Sequence, residues 1–349
     1  MTGSLKGVRV AVDAMGGDSG VRVGVAGAVS AARRYAISLT LVGRESLVRG
    51  ELSKLDISGL DVRIVDAPEE VGMAEKVGRA TLKKRSSILA AIELVSRGEA
   101  DAFFSAGHTA ACWTIAKLVL GTLPEIDRPA LTAIVPNIRG KTVLLDVGAN
   151  AVCKARHLEE FAVMGSLYAS EVLRIESPRV GLMSMGEEES KGTDLTREAH
   201  AALKESTLNF IGNVEGHEIF NGGADVVVMD GFTGNVILKS SETLASSIVL
   251  MLKEEIGRRP LAKIGAVLAA PAFKALRRRI DPREVGGAPL LGLKGCCVIG
   301  HGKSDEMAIC EGIHVAAEFS HSGINARITQ EVVRLARVNQ AAEAGGSAR

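Results

Sequence analysis

Nine short runs rich in Val, Ile, Leu and Ala recur along this chain, and most are separated by enough residues for a helix. They are Val8–Asp13, Ser38–Val42, Asp61–Val65, Asp101–Ser105, Ala130–Val135, Thr142–Asp146, Arg179–Ser184, Ala224–Met229 and Cys296–Gly300. Helical patterns fall between them at Val21–Tyr35, Lys83–Ser96, Thr109–Leu120, Leu158–Leu173, Leu195–Lys204, Val236–Glu255 and Asp305–Phe319. Parallel strands need crossovers of this length, so the alternation predicts an α/β fold, a three-layer α/β/α arrangement around a mostly parallel, mixed sheet. Aromatic residues make up only 3% of the 349, which leaves Val, Ile, Leu and Ala to fill the core, as in sheets buried on both faces. Without repeats or low-complexity breaks, residues 1–340 read as one large domain and the Ala/Gly/Ser-rich residues 341–349 as a disordered tail.

The run Ala224–Met229 has no polar break after Asp225, so it reads as a strand buried on both faces, and the residues after Met229 lie at its carboxyl end. There Asp230-Gly-Phe-Thr-Gly-Asn235 places a carboxylate, a hydroxyl and an amide on a tight turn before the helical pattern that starts near Val236. Ligands of open α/β sheets sit beyond the carboxyl ends of strands, where helix N-termini offer free N–H groups. Asp230, Thr233 and Asn235 are therefore candidate site residues. Polar clusters succeed other strands too: Asp13 to Asp18, Ser105 to Thr109, Asp146 to Asn150, Ser184 to Thr193 and His301 to Asp305. All are expected to face one crevice. Gly16 and Gly17 let the backbone approach an anion closely, and Asp13, Asp18, Ser105, Thr109, Asn150 and His301 join them as candidate substrate contacts.

Several function classes drop out. The formal net charge of +1 gives no global basis for binding nucleic acid. The dinucleotide fingerprint G-x-G-x-x-G is absent, and the glycine that a P-loop ending at Lys303-Ser304 needs is Cys297. Glu187, Glu188 and Glu189 are consecutive and lack His or Asp partners at ligand spacing, so neither a metal nor another cofactor is expected. Five cysteines, with no C-x-x-C pair, read as reduced buried thiols. No apolar leader precedes the first strand and no run reaches the ~20 residues of a spanning helix, so a cytoplasmic location is expected.

The motifs in their order carry a resemblance. Val12-Asp-Ala-Met-Gly-Gly-Asp18, Ser105-Ala-Gly-His-Thr109, Arg128-Pro-Ala-Leu131, Leu145-Asp-Val-Gly-Ala-Asn150, Met185-Gly-Glu-Glu188 with Lys191-Gly192, Phe210-Ile-Gly-Asn-Val-Glu-Gly216, Asp230 to Lys239, and Pro289-Leu-Leu-Gly292 with His301-Gly302 resemble the phosphate acyltransferase family PlsX. The resemblance runs from about Val8 to about Phe319 and implies conversion of acyl-acyl-carrier-protein and inorganic phosphate to acyl phosphate for phospholipid synthesis. It also implies a fold similar to isocitrate and isopropylmalate dehydrogenases and to phosphotransacetylase, and a homodimer. The chain departs from the family at His108, where Asn is usual, and at Lys303, where Ser is usual.

That chemistry needs no protein nucleophile, because phosphate is already anionic near pH 7. It needs a cation to hold the anion against the carbonyl and donors for the developing oxyanion. Lys191, in a loop after a strand, suits the phosphate, and the resemblance points to it as well. Asn235, a neutral donor, suits the oxyanion, and His108 and His301 are candidate proton donors to the leaving thiol. Residues 253–283 differ in character, with nine basic residues against three acidic ones and apolar Leu261, Ile264, Leu268, Phe273, Leu276 and Ile280 at helical spacing around Pro271. Two short helices of this kind, a protruding hairpin, fit peripheral contact with the anionic inner face of a cell membrane, a carrier-protein surface or a dimer contact. Two other classes compete with the acyltransferase reading. An NAD-dependent decarboxylating dehydrogenase would need a carboxylate cluster for a metal, and a non-catalytic acyl- or lipid-binding protein would show no turnover.

Overall fold

Successive residues of the central strands face opposite ways, and the core records it. Val10 and Val12 join one apolar cluster while Ala11 joins another; Val143 and Leu145 divide from Leu144 in the same way, and Val226 and Val228 from Val227. Both faces are therefore covered, which is the three-layer arrangement expected. The computed structural model describes residues 5–280 and 286–346.

Eleven strands form one sheet in the order β3-β2-β1-β4-β11-β10-β5-β6-β9-β7-β8. They are β1 (Arg9–Asp13), β2 (Ser38–Gly43), β3 (Val62–Asp66), β4 (Ala102–Ser105), β5 (Ala130–Pro136), β6 (Lys141–Leu145), β7 (Val180–Met183), β8 (Phe210–Val214), β9 (Val226–Val228), β10 (Ala288–Leu291) and β11 (Cys296–Ile299). Strands β3, β2, β1, β4 and β11 run parallel, and so do β6, β9, β7 and β8. Between these groups every pairing is antiparallel: β11 with β10, β10 with β5, and β5 with β6. Strands β8 and β10 were not legible. β8 carries Gly212 and a bulge, and β10 carries Pro289, both of which blunt a strand signal.

One face of the sheet is covered by α1 (Gly20–Tyr35), α2 (Glu45–Leu52), α6 (Ala155–Glu171), α7 (Asp194–Lys204), α12 (Glu306–His321) and α13 (Ile324–Gly346). Helices α4 (Ser87–Ser96) and α5 (Thr109–Leu120), with α8 (Gly216–Asn221) and the start of α9 (Gly231–Arg258), cover the other. A single turn of helix, α3 (Arg79–Lys83), precedes α4. Two arginine forks tie strand starts together: Arg9 grips Asp101 before β4, and Arg179 grips Asp225 before β9 through its backbone N–H and two guanidinium nitrogens at 2.9 Å. Such bidentate pairs fix geometry as well as charge.

Two expectations change here. Helix α13 runs through Gly346, so residues 341–346 are helical where a disordered tail was expected, and 347–349 lie outside the described residues. Alanine is the strongest helix former, and Ala341, Ala342 and Ala344 extend a helix already docked by Ile324 and Ile328. Helix α9 begins at Gly231 and not near Val236, because Asp230 is its N-cap: the carboxylate accepts the Thr233 N–H at 2.9 Å and the Thr233 hydroxyl at 2.8 Å. The expected turn is the helix's opening. Beyond Leu238, α9 leaves the core, and α10 (Pro260–Leu268) and α11 (Ala270–Ile280) form a hairpin with it. The hairpin is open to solvent, and its apolar residues stand free, with Leu261 84% and Leu268 79% exposed. Arg279 returns it to the body by donating to the carbonyls of Asn137 and Ile138 at 2.9 and 2.6 Å. Of the segment read as 253–283, residues 281–283 lie outside the described residues.

Candidate active site

The antiparallel middle of the sheet divides the candidate loops into two groups. Carboxyl ends of β1, β4 and β11 lie at one edge of the hydrogen-bond ladder, and those of β6, β9 and β7 lie at the other. The expected single row of loops along one edge is thus replaced by two sets.

In the first set, Asp13 is only 3% exposed. Its carboxylate accepts the Ser105 hydroxyl at 2.6 Å and the Met15 N–H at 3.1 Å, with the Ser87 hydroxyl and the Gly16 N–H as further donors. Burial pushes the Asp13 carboxyl above its ordinary value, opposed by those hydrogen bonds. Ser105 also accepts the Gly107 N–H at 2.9 Å. Gly16 lies against Gly107, Gly17 lies against the Gly302 carbonyl, and that carbonyl accepts the Asp18 N–H at 2.7 Å. The amides of residues 15, 16 and 18 are therefore already bonded within the protein, which leaves little of the anion cradle expected from the Gly-Gly turn. His108 caps α5: its Nδ1 accepts the Ala111 N–H at 3.3 Å, so Nε2 carries the proton and donates to the Glu75 carbonyl at 3.0 Å. Both ring nitrogens are committed to backbone groups. Thr109 is the exposed first residue of that helix, and His301 is exposed with Nδ1 accepting the Lys303 N–H at 3.1 Å.

The second set is built on Asp146, which the sequence reading did not single out. It is fully buried and takes five hydrogen bonds, from the N–H groups of Leu131, Gly148, Ala149 and Asn150 and from the Asn150 amide. Burial raises its carboxyl, and these donors pull it back. Asn150, 3% exposed, also donates to the Pro129 carbonyl at 2.8 Å and accepts the Gly231 N–H at 2.8 Å. Helix α9 is pressed so closely on this loop that a Cβ on Gly234 would lie 1.9 Å from the Asp146 carbonyl oxygen. One residue on, Asn235 is half-buried, 3.9 Å from where a Gly148 side chain would start. Of the expected substrate contacts, Asp13 and Asn150 bond to groups of their own and neighbouring loops, and Asp230 and Thr233 bond to each other.

Strand β7 is parallel to β9 and beside it, so the loop Ser184–Thr193 and the Asn235 helix turn leave the sheet at the same end of neighbouring strands. Lys191 is exposed on this loop and makes no ion pair among the described residues. At the loop's root the Ser184 hydroxyl oxygen is buried without a hydrogen-bond partner. Ser184 and Ser87 had no distinguishing signal in the sequence beyond their places next to a strand end and a helix start. Among the described residues, no group of three or more His, Cys, Asp or Glu side chains is arranged to hold a metal ion. The cysteines are free and shielded: burial pushes Cys112 and Cys296 up to about 12, and Cys153, beside Asp146 and Asp230, up to about 11.

The split α/β sheet places the chain in a fold shared with phosphotransacylases and with a 4-hydroxythreonine-4-phosphate dehydrogenase from Salmonella typhimurium. A phosphotransacetylase from Streptococcus pyogenes superposes with a TM-score of 0.62 at 18% identity over 92% of this chain and 96% of that one. A branched-chain phosphotransacylase from Enterococcus faecalis gives 0.55 at 14% identity over 90% and 99%. Within that class the assignment is specific: the family model described as fatty acid synthesis protein matches residues 8–327, and phosphate acyltransferases from Acidobacterium capsulatum and Geobacter sulfurreducens are each 48% identical, over 91% and 93% of this chain and 95% and 94% of theirs. The chain belongs to the phosphate acyltransferase family, PlsX, and is an acyltransferase.

Proposed function

We propose that this acyltransferase takes its acyl group from a thioester on acyl carrier protein and passes it to inorganic phosphate, releasing acyl phosphate and free carrier protein for phospholipid synthesis. The observation that carries the reading is that the Lys191 loop and the Asn235 helix turn follow the neighbouring parallel strands β7 and β9, with an unpartnered Ser184 hydroxyl at the root of the Lys191 loop. A lysine without a carboxylate partner and an orphaned hydroxyl suit an oxyanion such as phosphate, and the start of α9 adds the favourable end of a helix dipole. A phosphate oxygen attacks the thioester carbonyl carbon, and Asn235 donates to the oxygen as it gains charge. The C–S bond then breaks and the electron pair leaves with sulfur, whose thiol has a pKa near ~8.5 and departs without strong acid assistance. His108, capping α5, is not needed as the acid.

The same reading makes the enzyme a cytoplasmic homodimer that touches the membrane peripherally. The apolar residues along α9, among them Leu244, Ile248 and Leu252, are exposed in the single chain and suit a partner surface. The α10–α11 tip, with Leu261, Ile264 and Leu268 near Lys263 and Lys274, suits anionic lipid. Among the described residues no helix is long and apolar enough to cross a membrane. Incubating the protein with acyl-carrier thioester and phosphate, and trapping the product with hydroxylamine, should yield hydroxamate only when both substrates are present. Product from acyl-coenzyme A alone, or none from the carrier thioester, would refute the proposed donor.

A further inference from the structure

We propose that His200 and Asn213 are positioning residues that hold Lys191 in place through the Glu188 carbonyl, an inference that rests on the reading of Lys191 as the phosphate-holding cation. The Asn213 amide donates from Nδ2 to the Glu188 carbonyl at 2.8 Å. This orients the amide, so Oδ1 faces His200 Nδ1 at 3.0 Å and the imidazole proton lies on Nδ1. The Glu188 carbonyl also accepts the Lys191 N–H at 3.0 Å. One carbonyl thus joins the turn that carries Lys191 to a buried pair on β8 and α7. His200 and Asn213 are 6% and 5% exposed, whereas residues 187–191 are all exposed.

The chain has departed from regular strand geometry to build this tether. In a plain strand, residues 210 and 213 point to opposite faces. Here Val180 pairs with Phe210 and Gly181 with Gly212, which leaves Ile211 as a bulged residue. The bulge turns Asn213 to the same side as Phe210, and both reach His200: the Phe210 ring meets the imidazole edge-on with centroids 5.2 Å apart. Gly212, at φ +95°, supplies the backbone conformation. From the other side, Glu189 pairs with Lys204 of α7 at 2.6 Å, so the loop is held at two successive residues. Lys191 is the one cation in the Ser184–Thr193 loop, and the tether ends three residues before it.

The test is steady-state kinetics with phosphate varied. Asn213→Asp keeps the acceptor facing His200 but removes the N–H that grips Glu188. It should raise KM for phosphate about tenfold while leaving KM for the acyl donor within about twofold. In a Lys191→Ala background the same change should add less than about twofold, because the cation it positions is already gone. Should Asn213→Asp not fold, His200→Ala is expected to raise the phosphate KM similarly, with His200→Gln, which retains an N–H donor, recovering most of it. A phosphate KM within about twofold of wild type in whichever variant folds, or full additivity with Lys191→Ala, overturns the tether. Lys191→Ala with an unchanged phosphate KM overturns the reading of Lys191 itself, and the tether's purpose falls with it.

Discussion

Asp146 and Lys191 show two ways a polar side chain can stand at the proposed site, the first spent on backbone N–H groups and the second exposed on its loop. Lys191→Ala and Asn235→Ala should each lower turnover by on the order of 10²-fold or more while the protein still folds, as expected for groups that hold an anion or an oxyanion. Turnover of the purified variants, with circular dichroism as the folding control, checks this, and near-wild-type turnover removes the residue from the mechanism. Gly234→Ala should act on stability, since its Cβ would fall 1.9 Å from the Asp146 carbonyl. Forcing α9 off that loop is expected to cost about 1–3 kcal/mol, read as a lower denaturation midpoint. Residue types that suit phosphate chemistry were legible in the sequence, Lys191 and Asn235 above all. Direction was not: whether Asp13 or Asn150 turns towards substrate or towards its own loop depends on neighbours from β4 and β5, which no local pattern discloses.

At the scale of elements, the hydrophobic pattern located β1 to β7, β9 and β11 and missed β8 and β10, whose bulge and proline blunt a strand signal. Helix ends were read least well where a cap hides in a loop motif, as Asp230 does. The forks at the strand starts make a testable contribution. Burial raises the Asp225 carboxyl, but the Arg179 hydrogen bonds more than offset it, so the group sits below its ordinary value in the folded protein. A depressed carboxylate stabilises the fold above its unfolded pKa of ~3.9, and that contribution is lost as pH falls through the lower folded value. Asp225→Asn should therefore be less stable than wild type at neutral pH, with the difference shrinking below about pH 4. Urea melts of both proteins across pH 3 to 7 measure it, and a constant difference would show that Asp225 contributes packing alone.

For the whole molecule, the α/β class was written in the alternation of strand and helix, but the reversal of direction through β10 and β5 was not, since a strand's polarity within a sheet is a property of its partners. The hairpin's amphipathic pattern was legible while its occupant was not. Leu268→Glu should weaken binding to anionic vesicles and leave turnover on soluble acyl carrier thioester nearly unchanged, because Leu268 stands 79% exposed on a helix with no buried residue. Salt should weaken the same binding, each basic residue near such a surface contributing ~1 kcal/mol that ions screen. Loss of dimer or of soluble turnover with vesicle binding intact would assign the tip to a protein partner. The central place of β10 and β11 bears on how the protein is made. Ribosomal synthesis completes β3-β2-β1-β4 and β5-β6-β9-β7-β8 before residues 288–299 emerge, and only these last two strands join them. Until then β4 and β5 stand as open edges, the kind that pair with the wrong neighbour. A nascent chain of this protein is two unfinished sheets awaiting a clasp, and its vulnerability to aggregation is concentrated in the interval before that clasp arrives.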